Sequence, residues 1–234
     1  VLVWKSPPNP RRVLMTSFKL PREVHDAKLV SITPNAEEQI VYMARVSNPS
    51  NQANMETAPR LIRYLIKHKH WSPFEMASMQ VEINTTRAVA AQVLRHRSFS
   101  FQEFSQRYSS VDQLGTVGLP HLRSQDLKNK QASHDDLDPA AVDLMEKQIT
   151  QIYANAFDYY EYLLDQGVAK ECARSILPLG TPTRMYMSGS IRSWIHYIQI
   201  RAGIETQLEH RLIAGAIKDI FEEQLPNVYE AAFT

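Results

Sequence analysis

The sequence predicts an α+β protein, and three observations carry that prediction. Stretches with helical spacing and stretches that alternate with a period of two both occur. They follow one another without the strand-helix-strand rhythm of a doubly wound sheet, and no internal repeat interrupts them. One segment, residues 78 to 86, alternates strictly enough to require a strand with one buried face.

Taken in order, "AKLVSIT" (27 to 33) reads as a short strand. Pro34 and Asn35 then open a helix whose first turn is acidic. "TAPRLIRYLIKHK" (57 to 69) is amphipathic: Leu61, Tyr64 and Leu65 are expected on the buried face, packed on a sheet, opposite Arg60, Arg63 and Lys67. In "SMQVEINTT", Met79, Val81 and Ile83 alternate with Gln80, Glu82 and Asn84, after which "RAVAAQVLRHR" returns to helical spacing. Residues 112 to 138 are polar, with glycines and a proline, and read as a long excursion. The longest helix is expected over 139 to 167, begun by Pro139 and stopped by Gly167, with its acidic residues on a solvated face. A short helix in "AKECARSILP", a strand in "TPTRMYMSGS", and helices in "SIRSWIHYIQIRAG" and "TQLEHRLIAGAIKDIFEEQLP" complete the chain.

With 234 residues, the chain is long enough for one large or two small domains, and one compact unit is the simpler expectation. Residues 27 to 234 are expected to form that single domain. Residues 1 to 26 are expected to be an N-terminal extension with no assigned role, 1 to 14 of it upstream of Met15. Prolines and charges stand there where a signal peptide needs an apolar run, and no run of about 18 apolar residues is available to span a bilayer. A net charge of +1 gives no global field toward nucleic acid or an anionic membrane. The single Cys172 excludes an internal disulfide and a thiol zinc site, and fits a reducing cytoplasm. In "KECARSIL" it reads as a small core residue of a helix.

Charge is concentrated locally. Residues 60 to 108 hold eight Arg or Lys against three Glu, which points to an anionic ligand of limited size. Within "RHRSFSFQEFSQRYSS" (95 to 110) the arginines alternate with rings and hydroxyls, and the planar guanidinium fork suits phosphates and uracil-like carbonyls. Glu103 in this cluster either neutralises an arginine or accepts from a ligand N–H or sugar hydroxyl. Gln92 and Arg95 stand at helical i, i+3 spacing, so an amide and a guanidinium can share one ligand. Ser105 lacks a sequence-evident base and a nucleophile elbow, so it reads as a hydrogen-bonding group before it reads as a nucleophile.

His68 and His70 fall on opposite sides of a helix or the same side of a strand, without the companions a metal site needs. "HWSPFE" (70 to 75) sets Trp71, Ser72 and Phe74 beside His70, a ring-rich corner for a flat heterocycle. Either Ser188 or Ser190 caps the helix that follows, from which Arg192, His196 and Arg201 project. Arg174 sits on an otherwise small and apolar helix end. A single-stranded nucleic-acid groove is the competing reading of the basic, aromatic segment, and the near-neutral chain counts against it.

Arg95-His96-Arg97, seven residues and then Ser105 form the R-H-R-x7-S pattern, which resembles the signature of flavin-dependent thymidylate synthases, the ThyX family. "ARVSNP" (44 to 49), "KHKHWSPFE" (67 to 75), "AAQVLRHR" (90 to 97), "KECARSILPL" (170 to 179) and "YMSGSIRSWIHYIQIRAG" (186 to 203) resemble further family blocks in family order. The resemblance implies the ThyX-type α+β fold, an antiparallel sheet packed with long helices. It implies a homotetramer with shared active sites; the single cysteine and the near-neutral charge add the expectation of a cytoplasmic protein binding neither nucleic acid nor membrane. The implied reaction converts dUMP to dTMP, with 5,10-methylenetetrahydrofolate as carbon donor and NADPH as reductant through FAD, and no enzyme nucleophile or metal.

By position, the resemblance assigns Ser72, Arg95, His96, Arg97, Glu103, Ser190, Ile191, Arg192 and His196 to FAD, with His70 near the flavin ring. It assigns Gln92, Val93, Leu94, Arg95, Glu103, Phe104, Ser105, Gln106, Arg107, Arg174 and Arg201 to dUMP, Arg201 polarising the uracil. Some relatives carry other residues at Ser72, Gln106, Ser190 and His196.

Overall fold

A computed structural model describes residues 20 to 234, so most of the expected extension lies outside the described residues. The described chain forms two compact units, each assembled from separate stretches. One takes in the residues up to Val24, Thr86–Ala88 and Phe104–Thr183; the other takes in His25–Thr85, Val89–Glu103 and Arg184–Thr234.

The second unit is built on a sheet whose strand order is β1-β2-β6-β3. Strand β1 (Asp26–Ile32) pairs antiparallel with β2 (Ser78–Thr86), and β3 (Ser100–Glu103) pairs antiparallel with β6 (Pro182–Ser190). The expected alternation in β2 is present: Met79, Val81 and Ile83 are fully buried. On β6, Met185 and Met187 join them. The opposite face is polar, with Tyr186 donating to Glu82 (3.0 Å) and Arg184 to Asn84 (2.9 Å). Where register shifts between Leu29 and Ser31, Val30 turns outward.

The helices of this unit are α1 (Ala36–Ala44), α2 (Ala58–Lys67), the short α3 (Arg87–Val93, shared at its start with the other unit), α6 (Ile191–Arg201), α7 (Leu208–Gln224) and α8 (Pro226–Phe233). Helix α7 lies on β1 and packs against α6 and α8. One core of aliphatic and aromatic side chains, from Ala36 to Val228 in sequence, closes this unit. Helix α2 corrects the sequence reading twice. Its main partner is α8 rather than a sheet, and its buried residues are Ile62 and Leu65, whereas Tyr64 is exposed. Tyr64 leaves the core because its ring packs with His68 and His70 beyond the helix end.

In the first unit, α4 (Pro139–Asp165) is capped by Asp138, which accepts from the Ala141 N–H. Gly167 stops it as expected, in the left-handed conformation (φ 79°), and Val168 N–H returns to the Leu163 carbonyl. The 112 to 138 excursion is anchored at Leu119, which is fully buried and exchanges backbone bonds with Pro21 and Glu23. Gly118 permits that approach, since a Cβ there would sit 2.4 Å from the Glu23 nitrogen. Further on, β4 (Ser124–Gln125) and β5 (Ser133–His134) form a small hairpin. Helix α5 (Lys170–Ala173) buries Ala173 against Val111 and Tyr160. Cys172, expected in the core, is exposed instead, because Ala173 occupies the inward position of that short helix.

Candidate active site

In the second unit, β6 runs directly into α6 at Ser190, whose hydroxyl accepts from the Ser193 N–H (3.3 Å). Ser190 is therefore the helix cap, while Ser188 stays in the strand opposite Ser100. The Ile191 N–H is taken by the Ala77 carbonyl (2.9 Å), which fastens the helix start to the turn over Ser72–Glu75. Inward, α6 buries Ile191, Trp194, Ile195, Tyr197 and Ile198. Outward, at i, i+4 and i+7, stand Arg192, His196 and Gln199.

These three, with Trp71, Glu75, Ser98, Ser193 and Ile195, line a cleft of about 380 Å³. Arg192 pairs with Glu75 at 2.7 Å. The Ser190 hydroxyl, followed by Arg192, holds the Glu75 carboxyl below its ordinary range against a partial desolvation that raises it. A guanidinium, two serine hydroxyls, an imidazole and an amide beside an indole suit a ligand with both a flat ring and anionic phosphates. That donor set fits a flavin nucleotide. Of the residues expected at FAD, Arg192 and His196 line the cleft, and Ile191 is buried with its N–H already used. Glu75, Ser98, Ser193 and Gln199 were not singled out, although the face shared by Arg192, His196 and Gln199 was legible in the spacing.

The R-H-R segment leaves the end of α3 with its side chains divided. Val93 is fully buried, so any ligand contact from it is through the backbone. Leu94, Arg95 and Arg97 are exposed, and neither arginine has a carboxylate partner among the described residues. His96 instead turns toward α6, its ring edge-on to Tyr197 at 4.9 Å. Arg201, the last residue of α6, donates from Nε to His96 Nε2 at 2.8 Å and has no acidic partner among the described residues. Below this pair the buried Tyr197 hydroxyl meets His210 Nε2 at 3.0 Å.

Burial, then the charge of Arg201, then His196, pushes the His96 imidazole down to about 4. Burial, with Arg201 and His96 after it, pushes His210 down to about 3. Burial pushes the Tyr197 phenol up. Because both histidines resist a proton that the unfolded chain accepts below its ordinary histidine range, stability falls as pH drops from about 6.5 toward 4. The slope is at most about 1.4 kcal/mol per pH unit for each histidine. Thermal melts at pH 7 and pH 5 are expected to show the loss, and His210→Gln is expected to flatten it; an unchanged slope in the variant would remove His210 as a source.

Gln92 donates from Nε2 to Gln207 Oε1 (2.6 Å), and Glu103, half-buried at the end of β3, lies opposite Met185. His70 is exposed where α2 ends. Lys69 adopts the left-handed conformation (φ 57°), and the His70 N–H bonds to the Leu65 carbonyl. That turn brings the rings of His68 and His70 to 6.2 Å of one another beside Tyr64, so the two share a side although the segment is a helix-ending turn and not a strand. Ser72 is exposed on the turn that follows.

The remaining expected substrate residues, Phe104, Ser105, Gln106, Arg107 and Arg174, lie in the first unit. Arg107 is paired with Glu171 at 2.8 Å, whereas the half-buried Arg174 has no carboxylate partner among the described residues. Gln106 is buried, and its Nε2 has no hydrogen-bond partner among the described residues, an uncompensated donor that costs about 1–3 kcal/mol unless something accepts from it. The Ser105 carbonyl accepts from the Tyr108 and Ser109 N–H groups, and its hydroxyl bonds to no histidine or carboxylate among the described residues.

Among the described residues, no three His, Cys, Asp or Glu side chains gather as a metal site, and no helix is long and apolar enough to cross a membrane. The family model for "thymidylate synthase complementing protein" matches residues 28–227. A probable flavin-dependent thymidylate synthase of Paramecium bursaria Chlorella virus 1 is 50% identical over 212 residues, covering 88% of this chain and 97% of that protein. The flavin-dependent thymidylate synthase of Synechocystis sp. is 49% identical over 195 residues, covering 83% and 88%. The crystal structure of a UMP/dUMP methylase, PolB from Streptomyces cacaoi, bound with 5-Br dUMP, superimposes with a TM-score of 0.78 at 27% identity, covering 91% of this chain and 96% of that one. With relatives this similar over nearly their whole length, on a chain carrying an intact R-H-R-x7-S signature, the protein belongs to the flavin-dependent thymidylate synthase family.

Proposed function

We propose that the protein methylates dUMP to dTMP, taking the one-carbon unit from 5,10-methylenetetrahydrofolate and reducing equivalents from NADPH through FAD. The observation that carries this reading is the set of guanidinium groups at Arg95, Arg97, Arg174 and Arg201, none of which has an acidic partner among the described residues. Cations left unneutralised in a chain of net charge +1 await an anionic ligand. Once reduced by NADPH, bound flavin would supply a hydride to the uracil ring, so that C5 gains electron density without a thiol adduct.

The chain's own residues then have three tasks. Arg192, Ser98, Ser193 and His196 hold the flavin nucleotide in their cleft, with Trp71 beside them. Arg201 faces the N3 edge of the uracil and stabilises the negative charge that develops on its carbonyls. Gln92, Glu103, Ser105, Gln106, Arg107 and Arg174 orient the nucleotide, in roles carried by their positions in the family motifs; the unpartnered Gln106 Nε2 supports a donor role there. In the same reading, residues 27 to 234 act as one catalytic domain, and the enzyme works as a cytoplasmic homotetramer with shared active sites.

The test is an absorbance spectrum. Purified protein is expected to be yellow, or to become so with FAD, and dUMP is expected to perturb the flavin band. Protein that takes up no FAD on reconstitution, or that binds oligonucleotides with steep salt dependence and mononucleotides not at all, would overturn the reading.

A further inference from the structure

Two facts about Arg201 stand out. It is the final residue of α6, and its charge has no acidic partner among the described residues. Its side chain is nevertheless held, through Nε, by His96 at 2.8 Å. An arginine side chain keeps its protons at any working pH, so Nε is always the donor and His96 Nε2 the acceptor. The imidazole must then carry its proton on Nδ1. Burial of that ring, with Arg201's own charge beside it, keeps it in this neutral form.

His96 is itself held in place. Its ring stands edge-on to Tyr197 (4.9 Å, 75°) and to Phe99 (6.5 Å, 81°), and the Tyr197 hydroxyl is anchored on the buried His210. Its neighbours in the motif, Arg95 and Arg97, are exposed, so the middle residue of the R-H-R triplet faces a different environment from its flanks.

The geometry points to His96 as a positioning residue for Arg201: by accepting from Nε, it fixes the guanidinium plane and leaves the two terminal nitrogens, with four N–H groups, to face the substrate. This assignment rests on the reading that Arg201 binds dUMP, and it gives the motif histidine a role distinct from the flavin contact expected by position. Fixing the plane in advance removes rotamer freedom that binding would otherwise have to remove.

The test uses the FAD-loaded full chain and dUMP itself, with binding followed by calorimetry. His96→Phe keeps an aromatic ring against Tyr197 and Phe99 but removes the acceptor. It is expected to raise the Kd and KM for dUMP by about tenfold to a hundredfold, the range of a hydrogen bond to a charged group, while FAD occupancy stays at the wild-type level. His96→Gln, whose amide oxygen reaches the place of Nε2, is expected to recover dUMP affinity to within about threefold. Combining His96→Phe with Arg201→Ala should weaken dUMP no further than Arg201→Ala alone. Should the phenylalanine variant fold poorly, His96→Asn, whose shorter amide falls short of Arg201, replaces it in the comparison with glutamine. Unchanged dUMP affinity in the variants lacking the acceptor, beside a weakened Arg201→Ala, would overturn this inference alone, as would loss of FAD with dUMP affinity intact. Unchanged dUMP affinity in Arg201→Ala would overturn the reading of Arg201 and the inference with it.

Discussion

Replacing Arg201 with alanine is expected to leave FAD bound and to lower dTMP formation by about a hundredfold to a thousandfold, the usual cost of removing one donor aimed at developing charge. The basis is positional and electrostatic. Arg201 is held at the end of α6 by an uncharged imidazole, and among the described residues no carboxylate neutralises its positive charge. A cation so placed is available to an anionic ligand. If its work is on the uracil, kcat/KM for dUMP should fall while the flavin spectrum of the free enzyme stays that of the wild type. Steady-state kinetics with dUMP varied, beside a measured FAD content, separates the outcomes: unchanged turnover would refute the role, and loss of flavin would move Arg201 to the cofactor.

Trp194→Ala is expected to destabilise the protein by about 3–5 kcal/mol, a large part of the margin of an ordinary domain. Trp194 is fully buried, packs against Phe99 at 4.6 Å and Tyr197 at 5.8 Å, and donates its indole N–H to the Met79 carbonyl of β2 at 3.0 Å. Alanine would lose the buried area, leave a cavity and strip that carbonyl of the indole's bond. Phe99 belongs to the segment that carries the R-H-R triplet, so the same substitution should loosen the support of His96. Equilibrium denaturation measures the effect, and a loss below about 1 kcal/mol would show that the site does not depend on this indole.

Much of the fold was legible because burial imposes periodicity. The alternation of Met79, Val81 and Ile83 and the run from Pro139 to Gly167 each have one satisfactory solution, and the structure adopts it. Strand β3 was not legible, since "SFQE" is too short to show a period and lies inside a segment of mixed arginines, hydroxyls and rings. Helix α8 was missed because Pro226, read as the end of α7, also occupies the first turn of the next helix. Tyr64 was placed inward on helical spacing and Cys172 on residue type, and both lie outward: Ile62 and Leu65 fill the core face of α2 while Tyr64 packs with His68 and His70, and Ala173 takes the inward position beside Cys172.

The site divides in the same way. By itself the sequence determined the α+β class and the family, because a signature of arginines, hydroxyls and rings at fixed spacing is legible without coordinates. Only the tertiary structure decided where those residues lie and what they touch. His96 and Arg201 are 105 positions apart, and no spacing rule brings the Nε of one to the Nε2 of the other. That meeting exists because α6 and the segment after α3 share one buried layer of Trp194, Tyr197 and Phe99. Packing of distant segments, which local pattern does not encode, converts a list of motif residues into a positioned charge.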